Sequence, residues 1–278
     1  MKRIIYIVAL SAAFMASPLT MRADDDDSQA FDARVSAEAD WRIRKGMHAY
    51  VSEELRFGGS NILDRSYTEV GFSYKFSDYL KTAVSYTAIA VHETVPSADA
   101  PDVMEHSIEW RHRFSGDITA MYDFGQWRIS LRERIQGTHK THDVNNYQQP
   151  QTGWVLRSRL KVAYKFRSAP IEPYAYFEPR LMLNGAKWSE ESTGADYKSA
   201  AFLGHKDVYF SRYRGAAGLE WTLNSRNSID FYALYDHLYD KFIDARKEGS
   251  NKGVQLKAQI EGIVSDRISV GIGYKYSF

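Results

Sequence analysis

From Phe31 to Ile43 the chain alternates residue by residue, with Phe31, Ala33, Val35, Ala37, Ala39, Trp41 and Ile43 separated by Asp32, Arg34, Ser36, Glu38, Asp40 and Arg42. A period of two sends successive side chains to opposite faces of a β-strand, whereas a helix would spread these charges around its circumference. The segment is therefore a strand with one apolar face and one ionic face. The pattern recurs to the last residue. Val70, Phe72, Tyr74 and Phe76 form one such run, and Trp127, Ile129, Leu131 and Ile135 alternate with Arg128, Ser130, Arg132 and Arg134. Leu156, Leu160 and Val162 face away from Arg157, Arg159 and Lys161, and Val254 to Ile260 and Ile268 to Phe278 supply the last two runs. About twelve runs, most of them long enough for the roughly 9–11 residues of an oblique bilayer crossing, predict an all-β protein: an antiparallel, up-and-down transmembrane β-barrel of about 12 strands.

Punctuation between the runs supports a hairpin meander. Lys45-Gly46, Ser77-Asp78, Gly125-Gln126, Ser168-Ala169-Pro170, Asn224-Ser225 and Ser265-Asp266 read as tight turns, and 92–104, 137–153, 184–207 and 240–252 as longer polar connections. No linker divides residues 31–278, so one domain is expected. With both chain ends on one side, this spacing puts the tight turns outside and the long connections inside, the reverse of the usual arrangement.

Alternation alone also fits a soluble sandwich or a small soluble barrel, in which the apolar face turns inward. Three features favour the inverted arrangement, with the charged face inside and the apolar face on lipid. The chain looks exported yet has no cysteine; aromatics such as Phe76, Tyr79, Phe124, Trp127 and Phe166 flank the tight turns; and the last residue is Phe278. Export is read from residues 1–23, where Lys2 and Arg3 precede the apolar run Ile4 to Ala16 and small residues lead to Ala23, the pattern of a cleaved signal peptide. An acidic segment, 24–30, follows. No cysteine stands after the apolar run, so no lipid anchor is expected. Mean hydropathy of −0.46 excludes a bundle of membrane helices. Thirty-six Lys and Arg against 35 Asp and Glu leave no basic excess for a nucleic-acid partner.

Gly273, Tyr276 and Phe278 form a glycine-x-x-aromatic-x-aromatic ending. It resembles the signal by which outer-membrane barrels are recognised for insertion. That resemblance implies the cell outer membrane as location, its lipid as surroundings, and the barrel-assembly machinery as partner during biogenesis. The tracts Glu53-Glu54-Leu55-Arg56-Phe57, Glu69-Val70-Gly71-Phe72-Ser73-Tyr74-Lys75, Tyr79-Leu80-Lys81, Trp127-Arg128, Ser130-Leu131-Arg132-Glu133-Arg134 and Leu156-Arg157-Ser158-Arg159-Leu160 resemble the domain-of-unknown-function family twenty-four-ninety. Its members are uncharacterised outer-membrane barrel proteins of Gram-negative bacteria. The resemblance runs from about Asp40 to Phe278 and implies a fold and a location, with no catalytic residues to carry over.

Chemistry is sparse. His139-x-x-His142-Asp143 could offer metal ligands, but on a strand or loop an i, i+3 spacing does not bring two imidazoles to one ion. His106-Ser107 and Asp236-His237 are sequence neighbours, and neighbours on a strand point to opposite faces, which argues against catalytic pairs. No catalytic, cofactor or metal residue is assigned. The concentrated chemistry lies on the ionic face. Arg111, Arg113, Arg128, Arg132, Arg134, Arg157, Arg159 and Lys161 share inward parity on three consecutive strands, and Glu38, Asp40, Glu54, Glu69 and Glu109 occupy earlier ones. These predict a lumen with a basic wall and an acidic side. Such a lumen either selects a small anion, to which arginine forks are matched, or is filled by its own salt bridges. The expected role is structural or small-solute passage at the cell envelope; an outer-membrane barrel hydrolase and a soluble periplasmic ligand-binding barrel are the alternatives.

Overall fold

A computed structural model describes residues 29–58, 61–96, 104–189, 198–199, 201–250 and 253–278. The expected signal peptide and the first residues of the acidic segment lie outside the described residues. The chain forms β1 (Gln29–Arg44), β2 (Met47–Gly58), β3 (Asn61–Lys75), β4 (Leu80–Pro96), β5 (Met104–Phe124), β6 (Trp127–Lys140), β7 (Thr152–Tyr164), β8 (Ile171–Trp188), β9 (Lys198–Ser199), β10 (Phe202–Asn224), β11 (Asn227–Ser250) and β12 (Gly253–Ser277). Each strand pairs antiparallel with the next, except that β9 only bridges to β12 and β8 pairs directly with β10. The ring closes through β1 and β12, which run parallel from Gln29↔Asp266 to Asp40↔Ser277. The result is a closed barrel whose wall has eleven strands.

That count corrects the expectation of about twelve wall strands. Ser265-Asp266 is not a turn: Ser265 pairs with Leu238 and Asp266 with His237, so β12 passes straight through what the sequence divides into two runs. The pair lacks a glycine, and the left-handed backbone that hairpin turns favour is costly for other residues. Likewise 240–250 is no polar connection but the end of a hairpin ladder that runs from Asp240↔Ile263 to Ser250↔Gly253.

An odd number of strands removes the premise that both chain ends lie on one side, since β1 and β12 run parallel. Phe278 N donates to Asp40 O at 2.9 Å and Ser277 N to Arg226 O at 2.7 Å, placing the C-terminus among the tight turns. The turns are laced to their neighbours in the same way: Lys75 N to Gly46 O (2.7 Å), Met121 N to Tyr79 O (2.8 Å), Lys165 N to Gln126 O (2.8 Å) and Thr222 N to Pro170 O (2.8 Å). All tight turns therefore share one rim with Phe278, and the connection 141–151 lies at the other. Gly46 (φ 78°) and Gly125 (φ 63°) supply the left-handed backbone of two of these turns.

Polarity is inverted relative to a water-soluble protein. Phe72, Phe114 and Ile118 are 53–63% exposed on the outer surface, whereas Arg34, Asp236 and Glu178 are at most 3% exposed inside. Aromatics encircle the tight-turn rim as expected: Trp41 stacks on Phe278 at 5.1 Å, Tyr74 meets Phe76 at 4.7 Å and Trp127 meets Tyr164 at 4.8 Å. Inside, tyrosine rings lie over glycines of the neighbouring strand. A Cβ on Gly71 would stand 2.5 Å from the Tyr50 ring, so the missing side chain is what lets that ring lie flat on the wall.

Candidate functional site in the lumen

Strand alternation on β8 turns Tyr174, Tyr176, Glu178 and Arg180 inward, and Glu178 is fully buried. Arg157 of β7 grips it through Nε at 2.9 Å and through its terminal nitrogen; Arg159 Nε donates at 2.7 Å, Arg132 of β6 reaches it at 3.4 Å and Arg212 of β10 at 3.3 Å. A carboxylate removed from water is costly unless several charged donors surround it, and four do. The shielding is one-sided. The four arginines keep 12–23% of their side-chain surface exposed while the acid keeps none, so what remains accessible at this cluster belongs to the cations.

The ion pairs continue around the wall. Arg214 binds Asp236 through two nitrogens at 2.7 Å, Arg212 also lies 3.6 Å from Asp236, and Arg34 reaches Asp236 at 3.9 Å and Asp32 at 3.2 Å. Arg34 further donates to Ser269 at 3.0 Å, tying the network to the β1–β12 seam. Arg134 clasps Asp117, and Arg157 donates to Gln136 at 3.1 Å. The arginines are also direct neighbours: Arg134 pairs in register with Arg157, Arg157 with Arg180, Arg180 with Arg212, and Arg132 with Arg159. Like charges opposite one another destabilise a sheet, so this ladder depends on the acids threaded through it.

The structure keeps most of the basic wall and redraws its surroundings. Arg111 pairs with Glu109 at 2.9 Å, Arg113 donates to Thr138 at 3.1 Å, and Lys161 sits over the Tyr174 ring at 3.8 Å. Arg128 does not belong with them. It lies half-exposed at the tight-turn rim, paired with Asp123 at 2.7 Å, because β6 begins only one residue earlier. A separate acidic side is not what forms. Glu54 and Glu109 are each bound by the arginine two residues on, Arg56 at 2.6 Å and Arg111, which shares their face. Glu38 meets Lys275 at 2.8 Å, Asp40 lies 2.7 Å from His48, and Glu69 accepts from Tyr50 at 2.7 Å and Thr87 at 3.2 Å. Glu178 and Asp117, which sequence reasoning passed over, and Asp236, which it weighed only as a neighbour of His237, stand among the arginines. Their parity on β8, β5 and β11 is the signal that would have found them.

The histidines do not assemble a centre. His142 Nδ1 is 3.4 Å from Glu109, His139 lies 2.9 Å from Thr152 and His106 3.2 Å from His92. Among the described residues no group of three or more His, Asp or Glu side chains is placed to hold a metal ion.

A family model described as a protein of unknown function (DUF2490) matches residues 28–247. The chain belongs to this family. The DUF2490 match contains the lumen network from Asp32 to Asp236, whereas Gly273, Tyr276 and Phe278 follow it. No curated protein matches the chain. Among solved structures it is similar to the crystal structure of the Pseudomonas putida toluene transporter TodX, with 11% identity and a TM-score of 0.26 over 92% of this chain and 93% of that one.

Proposed function

We propose that this protein is an outer-membrane β-barrel that passes small, preferentially anionic solutes through its lumen and performs no catalysis of its own. The observation that carries this reading is the pairing of an apolar outer surface with arginine edges that face inward. In water each exposed large apolar side chain would forgo about 1.5–3 kcal/mol of burial, a cost that lipid contact removes. The aromatic rim suits the bilayer interface, and the rim shared by the tight turns and Phe278 suits the periplasmic side. Bilayer lipid is then the permanent neighbour of the wall, and the barrel-assembly machinery the partner that recognises Gly273, Tyr276 and Phe278.

Purified, folded protein in a planar bilayer under a potassium chloride gradient should conduct with a reversal potential favouring chloride. The double variant Arg132→Gln, Arg159→Gln should reduce that preference. Absence of conductance in the wild type, with loss of stability in the double variant, would overturn passage. It would favour a second reading, a structural barrel closed by its own salt bridges, for which the strand-to-strand ion pairs of Glu178 and Asp236 speak.

A further inference from the structure

On the outer wall, Phe72, Val84, Gly116 and Ile135 pair in register across β3 to β6, and where Gly116 has no side chain the wall holds a groove of about 460 Å³. Phe72, Val84 and Ile135 stand exposed around it. The next row away from the tight turns is Tyr86, Phe114, Gly137 and Trp154, and its three rings wall the groove on that side. Trp154 lies across Gly137, where a Cβ would stand 2.9 Å from the indole. One row further the outer face turns polar. His112 of β5 pairs in register with His139 of β6, and both share the outward parity of Phe114 and Ile135. The Tyr86 hydroxyl lies 2.6 Å from His112 Nδ1, with the rings stacked 5.9 Å apart, and His139 Nδ1 lies 2.9 Å from Thr152 Oγ1. Each imidazole is held through Nδ1, and neither Nε2 has a protein partner among the described residues.

Depth gives the pair its meaning. Gly116 stands eight residues along β5 from Phe124 at the tight-turn rim, and His112 twelve. At about 3.4 Å per residue and a tilt of about 40°, these are heights of roughly 21 and 31 Å, the first inside an apolar band about 25 Å tall and the second just beyond it. The groove therefore lies among acyl chains and the imidazoles among headgroups. Its volume falls within the roughly 300–1,000 Å³ of ligand pockets. A second copy of the chain would have to bring an apolar projection and an acceptor in the right register, whereas a lipid carries both in one molecule. We propose that Tyr86, Gly116, His112 and His139 form a binding site for one phosphate-bearing lipid of the leaflet opposite the tight turns. Its acyl chain fills the groove, and its phosphate oxygens accept from the two Nε2–H groups in charge-assisted hydrogen bonds. The site rests on the outer-membrane reading and goes beyond it, because there lipid is only the general surroundings of the wall.

The test uses the folded full-length protein in dodecyl maltoside and counts retained lipid by native mass spectrometry. Dioleoyl phosphatidic acid and dioleoylglycerol, which share their acyl chains and differ in the phosphate, are offered in separate arms. One phosphatidic acid per barrel is expected, with dioleoylglycerol retained about tenfold less. His112→Ala with His139→Ala should lower phosphatidic acid retention about tenfold, while His237→Ala on β11, which removes an outer-face imidazole elsewhere, should keep it. Gly116→Leu fills the groove and should lower retention to a similar degree. A Cβ at 116 meets only Ile135 Cγ2, at 3.8 Å, so this variant keeps the wall intact and carries the test if the histidine variant does not fold. Equal retention of the two lipids, full retention in Gly116→Leu or in the histidine variant, or an equal loss in His237→Ala overturns the site. A lipid-free dimer overturns it in favour of a second copy. Failure here is separable from failure of the membrane reading. A barrel that needs detergent yet retains no lipid defeats this site alone, and one that stays folded and monodisperse without detergent defeats the membrane reading.

Discussion

Leu131 and Arg132 are consecutive residues of β6, and they live in opposite environments. Leu131 is 44% exposed on the outer surface, next to Ile129 and Ile135, while Arg132 bends inward to a carboxylate that has no exposed surface at all. The same division runs along β7, between Leu160 and Arg159. At Leu131 and Leu160 nothing specific holds the side chain, and an apolar surface needs only an apolar surrounding. Inside, the central acids are placed by arginines contributed by other strands, Glu178 by four of them, Asp117 by Arg134 and Asp236 by Arg214. The outer face is tolerant of which residue it carries and intolerant of charge; the lumen tolerates charge and depends on which partner supplies it.

Removing the central carboxylate is the most severe way to break this contrast. Glu178→Gln keeps the shape and leaves four arginines without their acid, and one-sided loss of a buried pair costs roughly 3–5 kcal/mol. Urea unfolding of the lipid-refolded protein should show a loss of that order. A change under about 1 kcal/mol would mean that water, not Glu178, neutralises the wall. On the outer face, Leu131→Lys should destabilise by roughly 2–4 kcal/mol near mid-bilayer, whereas Ser130→Glu, one residue away and opposite Lys161 in the lumen, should cost far less. Equal effects in the same refolding titration would undo the face assignment and with it the membrane reading.

The smallest effect is expected where neither face rules. Asp78 sits in the β3–β4 turn, fully exposed, and a hydrogen bond from Lys75 Nζ at 2.7 Å holds its carboxyl below the usual range. A lowered folded-state pKa means that this pair supports the fold above the ordinary carboxylate pKa and is lost as the pH falls through the lowered one. Water and salt screen the pair, so Asp78→Asn should leave the unfolding midpoint at neutral pH unchanged. The Asp78 carboxyl resonance should titrate at lower pH than exposed carboxylates elsewhere and move upward in high salt; a midpoint shift comparable to that of Leu131→Lys would show that the rim is structurally coupled to the wall.

The alternation from Phe31 to Ile43 made the strands and their two faces legible, because side-chain direction in a strand follows local backbone geometry. The tight turns at Gly46 and Gly125 were legible for a similar reason, since left-handed backbone leaves a local mark in glycine. Ser265-Asp266 shows where local marks mislead. Polar residues in the middle of β12 look like a break, and only the ladder with Leu238 and His237 carries the chain through. With that strand undivided the count becomes odd, β12 runs parallel to β1, and every tight turn joins Phe278 at one rim.

Partner choice was the least legible part. Arg132 and Glu178 are 46 residues apart, Arg212 and Glu178 34, and Arg34 and Ser269 235. Inward parity is a property of each strand alone, and so the sequence determined that these residues would face a lumen. Which of them touch depends on shear, strand number and the closing register, and those are decided when the first and last strands meet. The sequence therefore determined the inverted polarity and the existence of an arginine-rich interior. Only the closed barrel decided that Glu178 would bind four arginines, because ring closure fixes all registers together and no segment carries that information by itself.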